Sequence, residues 1–346
     1  MKELFDQWLK DAFYKQASDV HLTIGKAPIF RVNGNLIEQD MEKLNPSDTT
    51  NIVREIIPGE LWDKLEKNRE LDFSYGIHGV SRFRINTFYQ RGELSLSIRI
   101  VPTRIPSIEE LYLPPIAKEI VKQPQGLILV TGPTGSGKST TLASMIDFMN
   151  KSMPKHIITL EDPIEYMHSH QQSVIDQREV GFDTNSFVSG LRASLRQDPD
   201  VILVGEMRDL ETISTAVTAA ETGHLVLGTL HTTDAISTIE RIIDVFPAEQ
   251  QTQIRIQLSS ILKAVISQRL LITKDGSGRR VATEVLINTS AVKNLIRNEK
   301  LHQVQNVLQT SKEQGMHTLE MDLKRLLQED IISFEVAAPF MQERGY

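Results

Sequence analysis

No cysteine occurs among the 346 residues. Disulfides and thiolate zinc sites are thereby excluded, and the composition fits a reducing cytoplasm. A basic excess is missing too: 38 Lys and Arg stand against 45 Asp and Glu, a formal net charge of −7. That balance speaks against a surface that grips nucleic acid everywhere, while leaving room for a local basic channel. Long apolar runs are missing as well. The stretch from Gly126 to Val130 is far too short to cross a bilayer. Charge interrupts the opening Met1-Lys2-Glu3-Leu4-Phe5-Asp6, so no secretory signal is visible. Any membrane role is expected through a partner. Internal repeats, heptads and low-complexity tracts are likewise absent.

What remains is an ordinary globular balance, with 40% hydrophobic and 24% charged residues. The length fits two domains better than one. Leu4, Phe5, Trp8, Leu9, Ala12 and Phe13 recur at helical spacing. Asp19 to Gly25 alternates like a strand, and Ile29 to Val32 leads into Asn33-Gly34, a pair suited to a tight hairpin. Residues 47–67 read as helical, and Leu71–Tyr75, Ser81–Tyr89 and Glu93–Val101 as strands. The expected organisation is a small α+β domain over 1–100 and a proline-punctuated linker over 101–115, with Pro102, Pro106, Pro114 and Pro115. An α/β core over 116–289 and a helical C-terminal part over 290–346 follow. In the core, Leu127–Thr131, Ile157–Leu160, Val201–Val204 and Leu225–Leu230 are short aliphatic strands separated by helical stretches. That pattern indicates a parallel sheet covered on both faces.

Gly132-Pro133-Thr134-Gly135-Ser136-Gly137-Lys138-Ser139 matches a phosphate-binding loop in full, between an aliphatic strand and a helical stretch, Ser139 to Asn150. The glycines let backbone N–H groups turn toward phosphate oxygens, and the helix N-terminus adds partial positive charge. Lys138 is expected at the β- and γ-phosphates and Ser139 on Mg²⁺. A guanine reader, Asn-Lys-x-Asp, is missing. Asn150-Lys151-Ser152-Met153 is its nearest approach and lacks the Asp, which favours ATP.

Two carboxylates follow at strand ends. In Asp198 to Glu206 the acid usual at the end of such a strand is replaced by Gly205, with Glu206 next. Glu161 opens a second cluster, Glu161-Asp162-Pro163-Ile164-Glu165. Hydrolysis needs one group to orient water and another to support the metal shell. Glu161 and Glu206 could divide these tasks, with Glu161 assigned to the water and Glu206 to the metal, or the reverse. His224 and His231 bracket the strand Leu225–Leu230. His231, at its carboxyl end, is expected to sense the γ-phosphate; His224 suits an interface or packing role. Arg84 and Arg99 fall on first-domain strands, while Arg192 and Arg196 lie four apart on a helix, sharing one face. Any of these could reach a neighbouring subunit's phosphates.

Four stretches together resemble the hexameric secretion ATPases that drive type II secretion and type IV pili. They are Gly132 to Thr140, Ile158 to Tyr166, Asp198 to Asp209 and Thr222 to Thr232. The resemblance implies that Arg84 and Arg99 point toward nucleotide. It also implies a PAS-like first domain, a RecA-like second domain and a ring of six identical chains. Such a ring docks at the cytoplasmic face of the inner membrane on a pilus platform protein, and through it acts on pilin. Within the family the chain is most similar to the retraction motors. Ala17 to Leu22 resembles their opening segment and Ala291 to Arg297 their C-terminal motif, and the tetracysteine insertion of extension motors is absent. The alternatives are a short extension or DNA-uptake motor of the same family, a nucleic-acid translocase, and a slow nucleotide-binding regulator. Direct contact with nucleic acid is not expected.

Overall fold

The structure is a computed structural model and describes residues 1–342. The chain divides into two compact units, Met1–Arg104 and Ile105–Tyr346.

The first unit begins with α1 (Lys2–Tyr14), whose Phe5, Trp8, Leu9 and Ala12 are buried at the expected helical spacing. Strands β1 (Asp19–Leu22), β2 (Ile29–Val32) and β3 (Asn35–Glu38) follow. Asn33 and Gly34 both take positive φ, closing the β2–β3 hairpin as their residue types require. The region expected to be one helical stretch is two helices, α2 (Pro46–Ile56) and α3 (Trp62–Asn68). The break lies at Ile57, which precedes Pro58 and is held extended at ψ 131. Strands β4 (Glu70–Ile77), β5 (Ser81–Gln90) and β6 (Glu93–Ile100) complete a six-stranded antiparallel sheet in the order β3-β2-β1-β6-β5-β4. Phe83, Ile85, Leu96 and Ile98 are buried in one core with residues of α1 and α2; Arg84 and Arg99 project from the other face.

The second unit contains α4 (Ile116–Ile120), β7 (Gly126–Thr131), α5 (Lys138–Ser152), β8 (His156–Glu161), β9 (Val174–Glu179), α6 (Phe187–Ser194) and β10 (Val201–Val204). It continues through α7 (Leu210–Glu221), β11 (Leu225–Leu230), α8 (Ala235–Asp244), α9 (Ala248–Ile261), β12 (Leu262–Ile272) and β13 (Arg279–Ile287). Helices α10 (Ser290–Arg297), α11 (Val304–Thr310), α12 (Leu319–Gln328) and α13 (Phe334–Gln342) end the described chain. The seven strands order as β13-β12-β7-β11-β10-β8-β9, parallel throughout except for β13. Alternation explains the continuous apolar strands. Leu127 and Leu129 of β7 enter one core with α7, α8 and α9, while Ile128 and Val130 enter a second with α5. Ile108 and Leu113, from the stretch expected to be a linker, are buried in that second core.

The C-terminal helices cover the antiparallel edge. Residues of α12 and α13 pack on Leu271 and Ala282, and His317 bridges to Val285. Buried Asp322 accepts from the N–H of Thr283 at 2.8 Å and also pairs with Arg325. An exposed edge strand would otherwise present unpaired backbone groups. Replacing Asp322 with Ala leaves the Thr283 N–H buried and unpaired, and is expected to cost about 1–3 kcal/mol of stability. Urea unfolding measures this; a loss below about 0.5 kcal/mol would mean that the carboxylate does not anchor α12.

Candidate functional site

Because β7, β11, β10 and β8 are parallel neighbours, their carboxyl ends share one edge of the sheet, the edge where ligands bind in such sheets. All six residues of β7 are buried, so the loop that leaves it starts from a fixed point. Gly132 opens the loop at φ +143, where a Cβ would lie 2.5 Å from the carbonyl oxygen of Gln268 and 2.6 Å from Ser136 Oγ. Only glycine lets the loop lie this close to β12. Pro133, Thr134 and Gly135 are exposed at the rim, whereas Ser136 is buried, its hydroxyl enclosed without a partner. Gly137 immediately precedes α5, whose first N–H groups have no intrahelical acceptor. A hollow with free N–H groups and an orphan hydroxyl fits phosphate oxygens.

Lys138 Nζ donates to the carbonyls of Gly132 at 2.8 Å and Pro133 at 3.1 Å. Partial burial lowers its pKa, and the Glu206 carboxylate opposes that shift. Ser139 is exposed on the first turn of α5, and Thr140 Oγ1 lies 3.0 Å from the hydroxyl of Tyr166.

Gly205, where the acid is missing, lies close against the end of β8. Its N–H donates to the Leu160 carbonyl at 2.7 Å. A Cβ there would stand 3.0 Å from that oxygen and 3.3 Å from Glu161 Cα. The carboxylate at this strand end is that of the next residue, Glu206. Glu206 Oε1 accepts from His231 Nε2 at 2.7 Å and from Arg208 Nε. Burial pushes its pKa up, but the hydrogen bonds and charges of Arg208 and His231 outweigh burial and leave it below the usual range. Glu161, the last residue of β8, differs. Its enclosure raises its pKa, against the hydrogen bonds to Oε1 from Thr159 Oγ1 at 2.6 Å and Gln177 Nε2 at 3.2 Å. Gln177 is itself fixed: its Nε2 also donates to the Tyr166 carbonyl, and its Oε1 accepts from the N–H of His168.

The structure thus gathers the loop, Lys138, Glu161, Glu206 and His231 at one edge. It does not bring His224 there. His224 precedes β11, roughly 20 Å of strand from His231, with Nδ1 3.0 Å from the Ala219 carbonyl at the end of α7. Arg192 Nη2 pairs with Glu211 at 2.7 Å on the surface. Arg196 is not helical as expected. α6 ends at Ser194, and the next two turns tighten to Arg196 N–H on Ala193 O and Gln197 N–H on Ser194 O before Asp198 at φ 56. In the first unit Arg84 and Arg99 are directly opposite across β5 and β6. Facing like charges disfavour each other; Asp19 beside them compensates, 3.3 Å from Arg99 Nε.

Sequence reasoning missed Thr159, Gln177, Arg208 and Gln268. Arg208 had a signal, being two residues after Glu206. The glutamines had none, since lone amides in strands follow no motif.

Residues 1–337 match the family described as type II/IV secretion system protein. The chain is 47% identical to the type IV pilus retractation ATPase PilT of Pseudomonas aeruginosa over 93% of both chains. It is also 47% identical to the twitching motility protein of Neisseria gonorrhoeae, over 90% of this chain and 83% of that one. A crystal structure of the pilus retraction motor PilT with bound ADP superposes with a TM-score of 0.87 at 50% identity, covering 96% of this chain and 95% of the other. The chain belongs to the type II/IV secretion system protein family.

Proposed function

We propose that this chain is an ATPase that powers retraction of type IV pili. The observation that carries the enzymatic part is the convergence of a phosphate-shaped loop, Lys138 and two carboxylates of opposite pKa tendency at one sheet edge. The pilus part is supported by near-half identity to PilT along almost the whole chain.

ATP is the substrate. Loop 132–137 and the first N–H groups of α5 hold its phosphates, and Lys138 leaves its two carbonyls for the more strongly negative oxygens. Ser139 and Glu206 offer hard oxygens that suit Mg²⁺. Among the described residues no group of three or more His, Asp or Glu side chains could hold a metal ion; an ion shared with phosphates needs none. When bound, that ion neutralises charge on the phosphate oxygens. Glu161 is the better base of the two acids, because enclosure raises its pKa while ion pairing lowers that of Glu206. Glu161 takes a proton from water as the water oxygen bonds to the γ-phosphorus. The bond to the β–γ bridging oxygen breaks, and ADP and phosphate leave. His231, hydrogen-bonded to Glu206, reports the state of that carboxylate to β11 and α8. Arg84 and Arg99 bind phosphate within a ring of six chains. His224 serves packing or an interface, and Arg192 and Arg196 are available to a neighbouring copy's phosphates. The ring works in the cytoplasm on a platform protein of the inner membrane, and pilin is released from the fibre base. No described helix is long and apolar enough to cross a membrane.

Two experiments test this reading. Glu161 acts as a base only when ionised, and the Thr159 and Gln177 bonds favour that form. Thr159→Val or Gln177→Leu therefore raises its pKa further and moves the acid limb of kcat to higher pH, with activity retained on the alkaline side. A limb that stays in place removes Glu161 as the base. In cells lacking the chain, pili are expected to be over-long and persistent, and a Glu161→Gln copy is expected not to restore retraction. Bald cells would instead indicate an extension motor.

A further inference from the structure

Strand β12 runs beside β7, and Gln268 lies beneath the phosphate loop with 1% of its surface exposed. Its Nε2 donates to the carbonyl of Ser136 at 2.6 Å, and its Oε1 accepts from Thr141 Oγ1 at 3.0 Å. One amide thus holds the loop at one end and α5 at the other. Its orientation is fixed, because a carbonyl can only accept; a reversed amide would set two oxygens against each other. The loop is built to admit this contact. A Cβ on Gly137 would lie 3.2 Å from Gln268 Nε2, and one on Gly132 would lie 2.5 Å from the Gln268 backbone oxygen. The hydroxyls of Thr131 and Ser267, 2.8 Å apart, tie the same two strands just before the loop departs.

The consequence follows from peptide geometry. In a trans peptide the C=O of one residue and the N–H of the next point in opposite directions. Drawing the Ser136 carbonyl toward β12 therefore aims the Gly137 N–H away from β12. We propose that Gln268 is a positioning residue for phosphate binding, which sets the Ser136–Gly137 peptide before nucleotide arrives. The inference rests on the ATPase reading and deepens it. Gln268 is assigned no bond to the phosphates: it lies buried beneath the loop, with one N–H given to Ser136 and its carbonyl held by Thr141. Without it the peptide loses the bond that draws its carbonyl toward β12, and each binding event must restore that direction, which weakens affinity. A glutamine that merely filled the core would change stability and leave the nucleotide affinity of the folded protein alone.

The test uses the full chain, with the Kd of ADP from calorimetry, KM and kcat for ATP, and thermal melting. Gln268→Met keeps the side-chain length and loses both hydrogen bonds. It is expected to raise the ADP Kd and the ATP KM about tenfold, with kcat changed less than about threefold. Thr141→Val keeps its volume and frees only Oε1, so it moves affinity in the same direction by a smaller factor. Adding it to Gln268→Met is expected to cost little more. Wild-type ADP affinity in folded Gln268→Met protein overturns the proposal; should that variant not fold, wild-type affinity in Thr141→Val overturns it. A wild-type chain that bound no ADP would overturn the ATPase reading along with it.

Discussion

The ammonium of Lys138, resting on two carbonyls of its own loop, is the contact around which the rest of the site is arranged. A cation taken partly out of water with only dipoles for direct partners is poorly compensated. The one nearby carboxylate that opposes its desolvation, Glu206, is already held by His231 and Arg208. Enclosure raises the pKa of Glu161, against the hydrogen bonds from Thr159 and Gln177. The free N–H groups at the start of α5 add to the positive side. The loop side of the edge thus carries positive charge that a polyphosphate can meet. The same imbalance separates the two acids, leaving Glu206 ionised by its partners and Glu161 basic by enclosure.

Holding that imbalance requires a rigid frame. Each central strand sends alternate side chains into two cores, so the strand ends cannot shift independently. Gly205 shows how tightly the edge is drawn: the room a side chain would need is taken by Leu160 and Glu161. The antiparallel strand β13 and the helices anchored on it through Thr283 and Asp322 back β12, which in turn flanks the phosphate loop.

Much of the site was legible because its chemistry is contiguous or ends a strand. The loop from Gly132 to Ser139 is one uninterrupted motif, and Glu161, Glu206 and His231 each close an aliphatic run. Their meeting depends on strand order, which no single stretch records; only with β10 beside β11 does Glu206 reach His231. The half of the fold that was not legible lies where punctuation fails. α9 passes into β12 between Ile261 and Leu262 with no glycine or proline, so β12, β13 and Gln268 went unseen. The edge strand β9 carries Asp176, Gln177, Arg178 and Glu179, which hide it among loops together with the glutamine that holds Glu161. Spacing alone puts Arg196 on a helix, whereas the chain tightens before reaching it.

The central claim is that Lys138 is a cation kept ready for phosphate, and calorimetric titration with ADP tests it most directly. In a Lys138→Ala chain whose circular dichroism and melting match the wild type, ADP affinity is predicted to fall roughly ten- to hundredfold, the worth of a charge-assisted bond in an enclosed site. Equal affinity in the two proteins would contradict the account, since the loop would then bind phosphate without the charge that the rest of the site is built to hold.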